Sequence, residues 1–172
     1  DMRITIRGNP RALGETVPRR FLSVLGSEAS KIPEGQSGRL QLADWIAEQP
    51  LSARVAVNRI WQKLFGEGLV RTVDYFGLPG DQPSHPDLLD YLADEFLETG
   101  GSTKKLVRQL VLSRTYGLSS RHQKDAAAQD PGNRLLWRMN AFRLDAESLR
   151  DAMIAATGQL LESAGGTAMP LE

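Results

Sequence analysis

The sequence predicts a mainly α fold, an irregular bundle of about five helices preceded by an N-terminal arm that includes a short strand. Three observations predict it. From Arg39 onward, apolar residues recur at helical spacing in successive segments. Pro and Gly punctuate the ends of those segments. Before Gly38 the chain is rich in Gly, Pro and Ser and has no sustained helical period. The chain therefore divides into an arm over 1–38 that packs on the body, a helical domain over 39–158, and a frayed tail over 159–172.

In the arm, "MRITIRG" alternates as a strand does, and "VPRRFLSVL" offers Val17, Phe21, Leu22 and Leu25 for docking. "GSEASKIPEGQSG" reads as an exposed loop. The first helix, "GRLQLADWIAEQP", puts Leu40, Leu42, Ala43, Trp45 and Ile46 on one stripe and stops at Pro50. "LSARVAVNRIWQKLFG" is the clearest amphipathic segment: Ser52 can cap it and Gly66 can end it. Ala53, Val57, Ile60, Trp61 and Leu64 form its apolar face, and Arg54, Asn58, Arg59, Gln62 and Lys63 its polar one.

The connection "EGLVRTVDYFGLPGDQ" is non-helical but apolar enough to be partly buried. "PSHPDLLDYLADEFLETGG" then turns Leu88, Leu89, Leu92, Ala93 and Phe96 inward, leaving an acidic outer face. "STKKLVRQLVLSRTYG" buries Leu106, Val107, Leu110 and Val111 and exposes Lys104, Lys105 and Arg108. These two neighbours, of opposite charge and joined by a short loop, are expected to pack antiparallel and pair at their edges. A polar loop, "SSRHQKDAAAQDPGN", and the short "RLLWRM" lead to a last helix, "RLDAESLRDAMIAATG", capped by Asp145 and ended by Gly158. No internal repeat occurs, which removes a solenoid.

The totals bound the function. At 172 residues, with 41% hydrophobic and 24% charged, the composition is that of an ordinary soluble globular domain. No apolar run approaches the roughly 20 residues of a membrane helix. Twenty-one basic and twenty-one acidic residues cancel, so no excess field attracts nucleic acid. Without cysteine there is no disulfide, thiolate nucleophile, zinc–thiolate site or covalent haem attachment. The start at Asp1 and the closing Leu171-Glu172, which looks vector-derived, read as a piece of a longer protein.

Candidate chemistry centres on few residues. His85 lies between two prolines in "PSHPD", where Ser84, Pro86 and Asp87 are explained as a helix start. With His122 as the other histidine, a metal site lacks ligands. Asp74 in "VDYFG" is expected to accept from backbone N–H groups or pair with Arg54 or Arg59. Asp74 and Asp145 are also the acids to test as a catalytic pair of the kind glycoside hydrolases use, each beside a large apolar residue. Trp45, Trp61 and Trp137 could stack sugars or bases, though two sit on apolar helix faces. A helix-turn-helix reading of "SARVAVNRIWQKLFGEGLVRTV" meets the neutral charge as an objection.

Four stretches together, "GNPRALGETVPRRFLSVL", "LSARVAVNRIWQKLFGEGLVRTVDYFGLPGDQPSHPDLLDYLADEF", "STKKLVRQLVLSRTYGLSS" and "DPGNRLLWRMNAFRLDAESLRDAM", resemble the planctomycete-specific C-terminal domain of unknown function. The resemblance runs from Arg7 to Gly158. It implies an exported, periplasmic or cell-surface context and a cytochrome-c-like haem domain elsewhere in the parent protein. It implies no haem here, since Cys-x-x-Cys-His is absent, and it hands over no catalytic residue. Tyr116-Gly117 departs from the Tyr-Arg or Tyr-Gln of relatives. The expected role is a non-catalytic interaction or scaffold module without a cofactor, docking on other domains of its polypeptide or on an exported partner. A polysaccharide-acting or polysaccharide-binding role is the alternative, and nucleic-acid binding a further one.

Overall fold

The structure, a computed structural model, describes residues 2–25, 32–33 and 35–161. Among these the chain forms a two-stranded antiparallel ribbon, β1 (Met2–Thr5) and β2 (Leu13–Val17), and then six helices. The mainly α expectation holds, with the arm's second strand and one helix added. The helices are α1 (Arg39–Glu48), α2 (Pro50–Phe65), α3 (Pro86–Glu98), α4 (Thr103–Val111), α5 (Lys124–Gln129) and α6 (Ala146–Ala156).

Local rules account for most of the boundaries. Gln49 is held extended (ψ 130°), as the residue before a proline is. Pro50 therefore ends α1 and, lacking an N–H, serves as the first residue of α2. Ser52 is one turn too late to cap it. Gly66, at φ 85°, closes α2 by donating to the Gln62 carbonyl. Pro86 opens α3 in the same way, with His85 as the capping residue. Ser84, expected to cap α3, instead donates its N–H to the Leu69 carbonyl and turns its hydroxyl to His85. Ser102 caps α4 and Asp145 caps α6, the latter accepting from the Ser148 N–H at 2.6 Å.

The core is one cluster built from α2, α3, α4 and the connection after α2. Val57, Trp61 and Phe65 meet Leu69 and Val70, Leu89 and Leu92, and Leu106 and Leu110. Trp61 stacks on Phe65 with centroids 4.0 Å apart, and Tyr116 meets Phe65 edge-on at 5.7 Å. Each of these large side chains contributes about 1.5–3 kcal/mol by leaving water, so the apolar faces of α2 and α3 dominate stability.

Four expectations fail. The polar loop contains α5; the turns that follow it hold Asn133 (φ 50°) and, within "RLLWRM", Leu136 (φ 57°) in left-handed conformations. The edges of α3 and α4 are joined by a hydrogen bond, Gln109 to Glu95 at 2.7 Å, with no ion pair between these helices among the described residues. The apolar stripe of α1 buries nothing: Leu40, Leu42 and Ile46 are exposed, and Trp45 is covered by Phe21, 4.9 Å away, from the arm. Leu22 and Leu25 do not dock. Most of the loop expected at 26–38, and the tail from 162 with Leu171-Glu172, lie outside the described residues.

Candidate functional site

The residues singled out from the sequence are separated by the fold. Arg54, near the start of α2, pairs with Asp90 on α3. Arg59, one and a half turns further along α2, reaches Asp74 at 3.7 Å, and both side chains of this pair are mostly solvated. Arg54 lines a cleft of about 340 Å³ with Leu51, Phe76, Leu78 and Asp81, but Arg59, Asp74 and His85 do not line it. His85 is half-buried, its Nδ1 3.0 Å from the Ser84 hydroxyl. Asp145 is engaged as the α6 cap, and the Ser148 N–H and hydroxyl hold its carboxyl below the usual aspartate range. Asp74 and Asp145 thus serve different elements.

The most organised polar region was not read from the sequence. Asn58 lies on the buried side of α2, with no exposed surface, rather than on the polar face assigned to it. Its side-chain amide donates to the Val70 carbonyl and accepts from the Val70 N–H, both at 2.9 Å. One side chain thereby supplies the pairing that a neighbouring strand would give. Gly68 makes room for it, since a Cβ there would overlap the Val70 carbonyl and crowd the Asn58 amide. Asn58, Trp61 and Phe65 share a face at i, i+3 and i+7, which is the sequence signal that was available.

A second clamp joins the turns after α5 to the end of α2. Asn140 donates to the Phe65 carbonyl at 2.9 Å and accepts from Asn133, whose amide also donates to the Arg138 carbonyl. The Asp130 carboxylate accepts the N–H groups of Leu135 and Arg134 at 2.8 and 2.9 Å. These bonds, the Leu135 one first, hold its carboxyl below the usual range, with Arg71 and Arg134 adding attraction. Arg71 fastens the same turn through the Gly132 carbonyl at 2.6 Å and pairs with Glu67. Trp137 donates its indole N–H to the Asp130 carbonyl, with Arg138 over one face at 4.9 Å and His122 edge-on. On the outer side of α3 and α4, Glu95 accepts from Tyr91 and Gln109. This raises the Tyr91 hydroxyl above its ordinary value and lowers the Glu95 carboxyl.

Chemically these groups act on the chain's own backbone. Carboxylates cap or brace turns, amides replace missing backbone partners, and among the described residues no three His, Asp or Glu side chains are grouped to hold a metal ion. Among the described residues, apolar side chains of α1, the ribbon and α6 stay exposed.

A family model described as PSD1, a protein of unknown function (DUF1553), matches residues 38–172. No curated protein and no solved structure matches the chain.

Proposed function

The chain belongs to the PSD1 family of unknown function (DUF1553), and from that premise we propose that it is a non-catalytic interaction module, docking through α6 onto another domain of its own polypeptide. The carrying observation is the state of α6. This eleven-residue helix buries none of its residues, and Leu149 and Met153, one turn apart, are 52% and 65% exposed. Phe142 and Leu144, just before it, are exposed as well. A helix of that length is marginal in water even with a good cap, and owes its stability in proteins to packing of its apolar face. The stripe is a surface built to be covered.

Two features add support. The candidate catalytic side chains are dispersed: Asp145 caps α6, Arg54 pairs with Asp90, Arg59 with Asp74, and His85 meets Ser84. Trp61 is buried and one ring face of Trp45 is stacked on Phe21, which counts against the polysaccharide alternative. On the family resemblance we place the parent protein outside the cytoplasm, in the periplasm or at the cell surface, where a haem-bearing domain is a fitting neighbour.

Amide hydrogen exchange of the isolated chain and of the same residues within the parent polypeptide tests the docking. The expected result is rapid exchange over Ala146–Ala156 in isolation and strong protection in the parent. Equal exchange in both overturns it.

A further inference from the structure

Helices α3 and α4 lie side by side along a groove of about 210 Å³, lined by Glu95, Phe96 and Thr99 on one side and Lys105, Leu106 and Gln109 on the other. Phe96 and Thr99 beside Lys105 and Leu106 make the pair antiparallel, as the short loop between them requires. The Gln109 amide donates to the Glu95 carboxylate at 2.7 Å, and this bond sets the register of the two helices.

Exposed side chains follow that register in two stripes of opposite charge. On α3 they are Tyr91, Asp94 and Glu98, and on α4 and its C-cap they are Lys105, Arg108 and Leu112, each series at helical steps of three and four. Counted from the Glu95–Gln109 bond, Tyr91 and Leu112 both stand one turn away on the same side, so they are level. In the same way Glu98 is level with Lys105, and Asp94 stands near the level of Arg108. Tyr91 is 58% and Leu112 72% exposed. The face thus has an acidic half and a basic half, matched turn for turn, with one large apolar side chain at the same height on each.

We propose that this face pairs with the same face of a second copy of the chain. A two-fold axis parallel to the helices lays α3 of one copy over α4 of the other and keeps every level unchanged. Tyr91 then meets Leu112 of the second copy, Glu98 meets its Lys105 and Asp94 its Arg108, and each contact is made twice. Charge complementarity selects the occupant: a surface with halves of opposite sign and matched height is complementary to itself under that rotation. The net charge of zero at pH 7 leaves no overall repulsion between copies. Exposed ion pairs add little affinity, so the Tyr91–Leu112 contacts anchor the dimer and the charges fix its orientation. The surface is separate from α6, and either can fail without the other.

The test is sedimentation velocity of the full chain over a concentration series at about 0.01 M and about 1 M salt, where the Debye length is about 30 and about 3 Å. The expected result is a concentration-dependent dimer that is at least about fivefold weaker at the higher salt. Two charge-reversed variants, K105E/R108E and D94K/E98K, give both stripes of a copy one sign. Each is expected to be monomeric alone, and their equimolar mixture to form a one-to-one dimer. All four positions are exposed, and circular dichroism checks that the variants stay folded. Leu112→Ala, at a position outside the buried core, is a second probe and is expected to weaken the dimer at least about tenfold. A chain that stays monomeric up to about 1 mM, which leaves the two stripes to a different partner, overturns the proposal. So does a dimer indifferent to salt or to Leu112→Ala, a charge-reversed variant that dimerises alone as the parent chain does, or a mixture that stays monomeric.

Discussion

Replacing Asn58 by alanine tests the account of the core most directly. Asn58 has no exposed surface, and Val70, whose N–H and carbonyl it satisfies, is 3% exposed. Truncation leaves two backbone groups without partners in a place where water does not reach, at about 1–3 kcal/mol each. The expected loss is therefore about 3–5 kcal/mol, a large share of the roughly 5–15 kcal/mol typical of a domain. The assay is urea unfolding followed by far-UV circular dichroism, with the change read from the midpoint at constant slope. Asn58→Asp sharpens it. The introduced carboxylate can still accept from the Val70 N–H, but when ionised it cannot donate to the carbonyl, and burial raises its folded pKa. Its penalty is thus largest at neutral pH and shrinks as the pH falls and the group protonates. A loss below about 1 kcal/mol for Asn58→Ala, or no pH dependence for Asn58→Asp, refutes the reasoning.

Other outcomes follow from the same geometry. Gly80→Ala places a Cβ onto the Tyr75 carbonyl and beside the Thr72 hydroxyl, whereas Gly77→Ala meets nothing within 4 Å; thermal unfolding is expected to drop by about 2 kcal/mol or more for the first and by under about 0.5 for the second. Asp90→Asn removes the partner of Arg54, and because both side chains are substantially solvated the change in urea midpoint is expected to correspond to less than about 1 kcal/mol. Asp130 and Asp145 have folded pKa values below their unfolded ones, so their stabilising bonds are fully present above the unfolded aspartate value of about 3.9 and are lost as the pH falls through the folded values. Exchange protection of the Leu135 and Ser148 amides, followed downward from neutrality, is expected to persist through pH 5 and disappear only in that acid window.

What was legible in the sequence is what local rules decide. Pro50 and Pro86 mark helix starts because a missing N–H is harmless only there, and Gly66 marks an end because φ 85° suits glycine. The inward faces of α2, α3 and α4 follow from apolar period alone. Asn58 was misplaced because an asparagine in a helix is by default solvated, and its justification lies 12 residues away on an irregular connection. α5 was missed because "KDAAAQ" has no large apolar residue to show a period. The clamp of Asp130, Asn133 and Asn140 uses backbone partners on turns, and no residue pattern announces those. For the candidate site, the pairing of Asp74 with an arginine of α2 was foreseen, and Arg59 is the arginine that takes it. That Arg54 takes Asp90 instead follows from the facing of α2 and α3, a tertiary fact.

The placement of the clamps has an evolutionary consequence. Asn58, Gly68 and the Asn133–Asn140 pair concentrate the demands of folding into the stretch from α2 to Asn140. The ribbon and α6 contribute no residue to the buried core. Substitutions there are nearly neutral for the fold, so lineages can diversify these outer surfaces toward different neighbours while inheriting the same interior. A comparison of relatives should therefore find drift concentrated at the two ends of the chain and constraint at residues whose only apparent duty is to hold backbone.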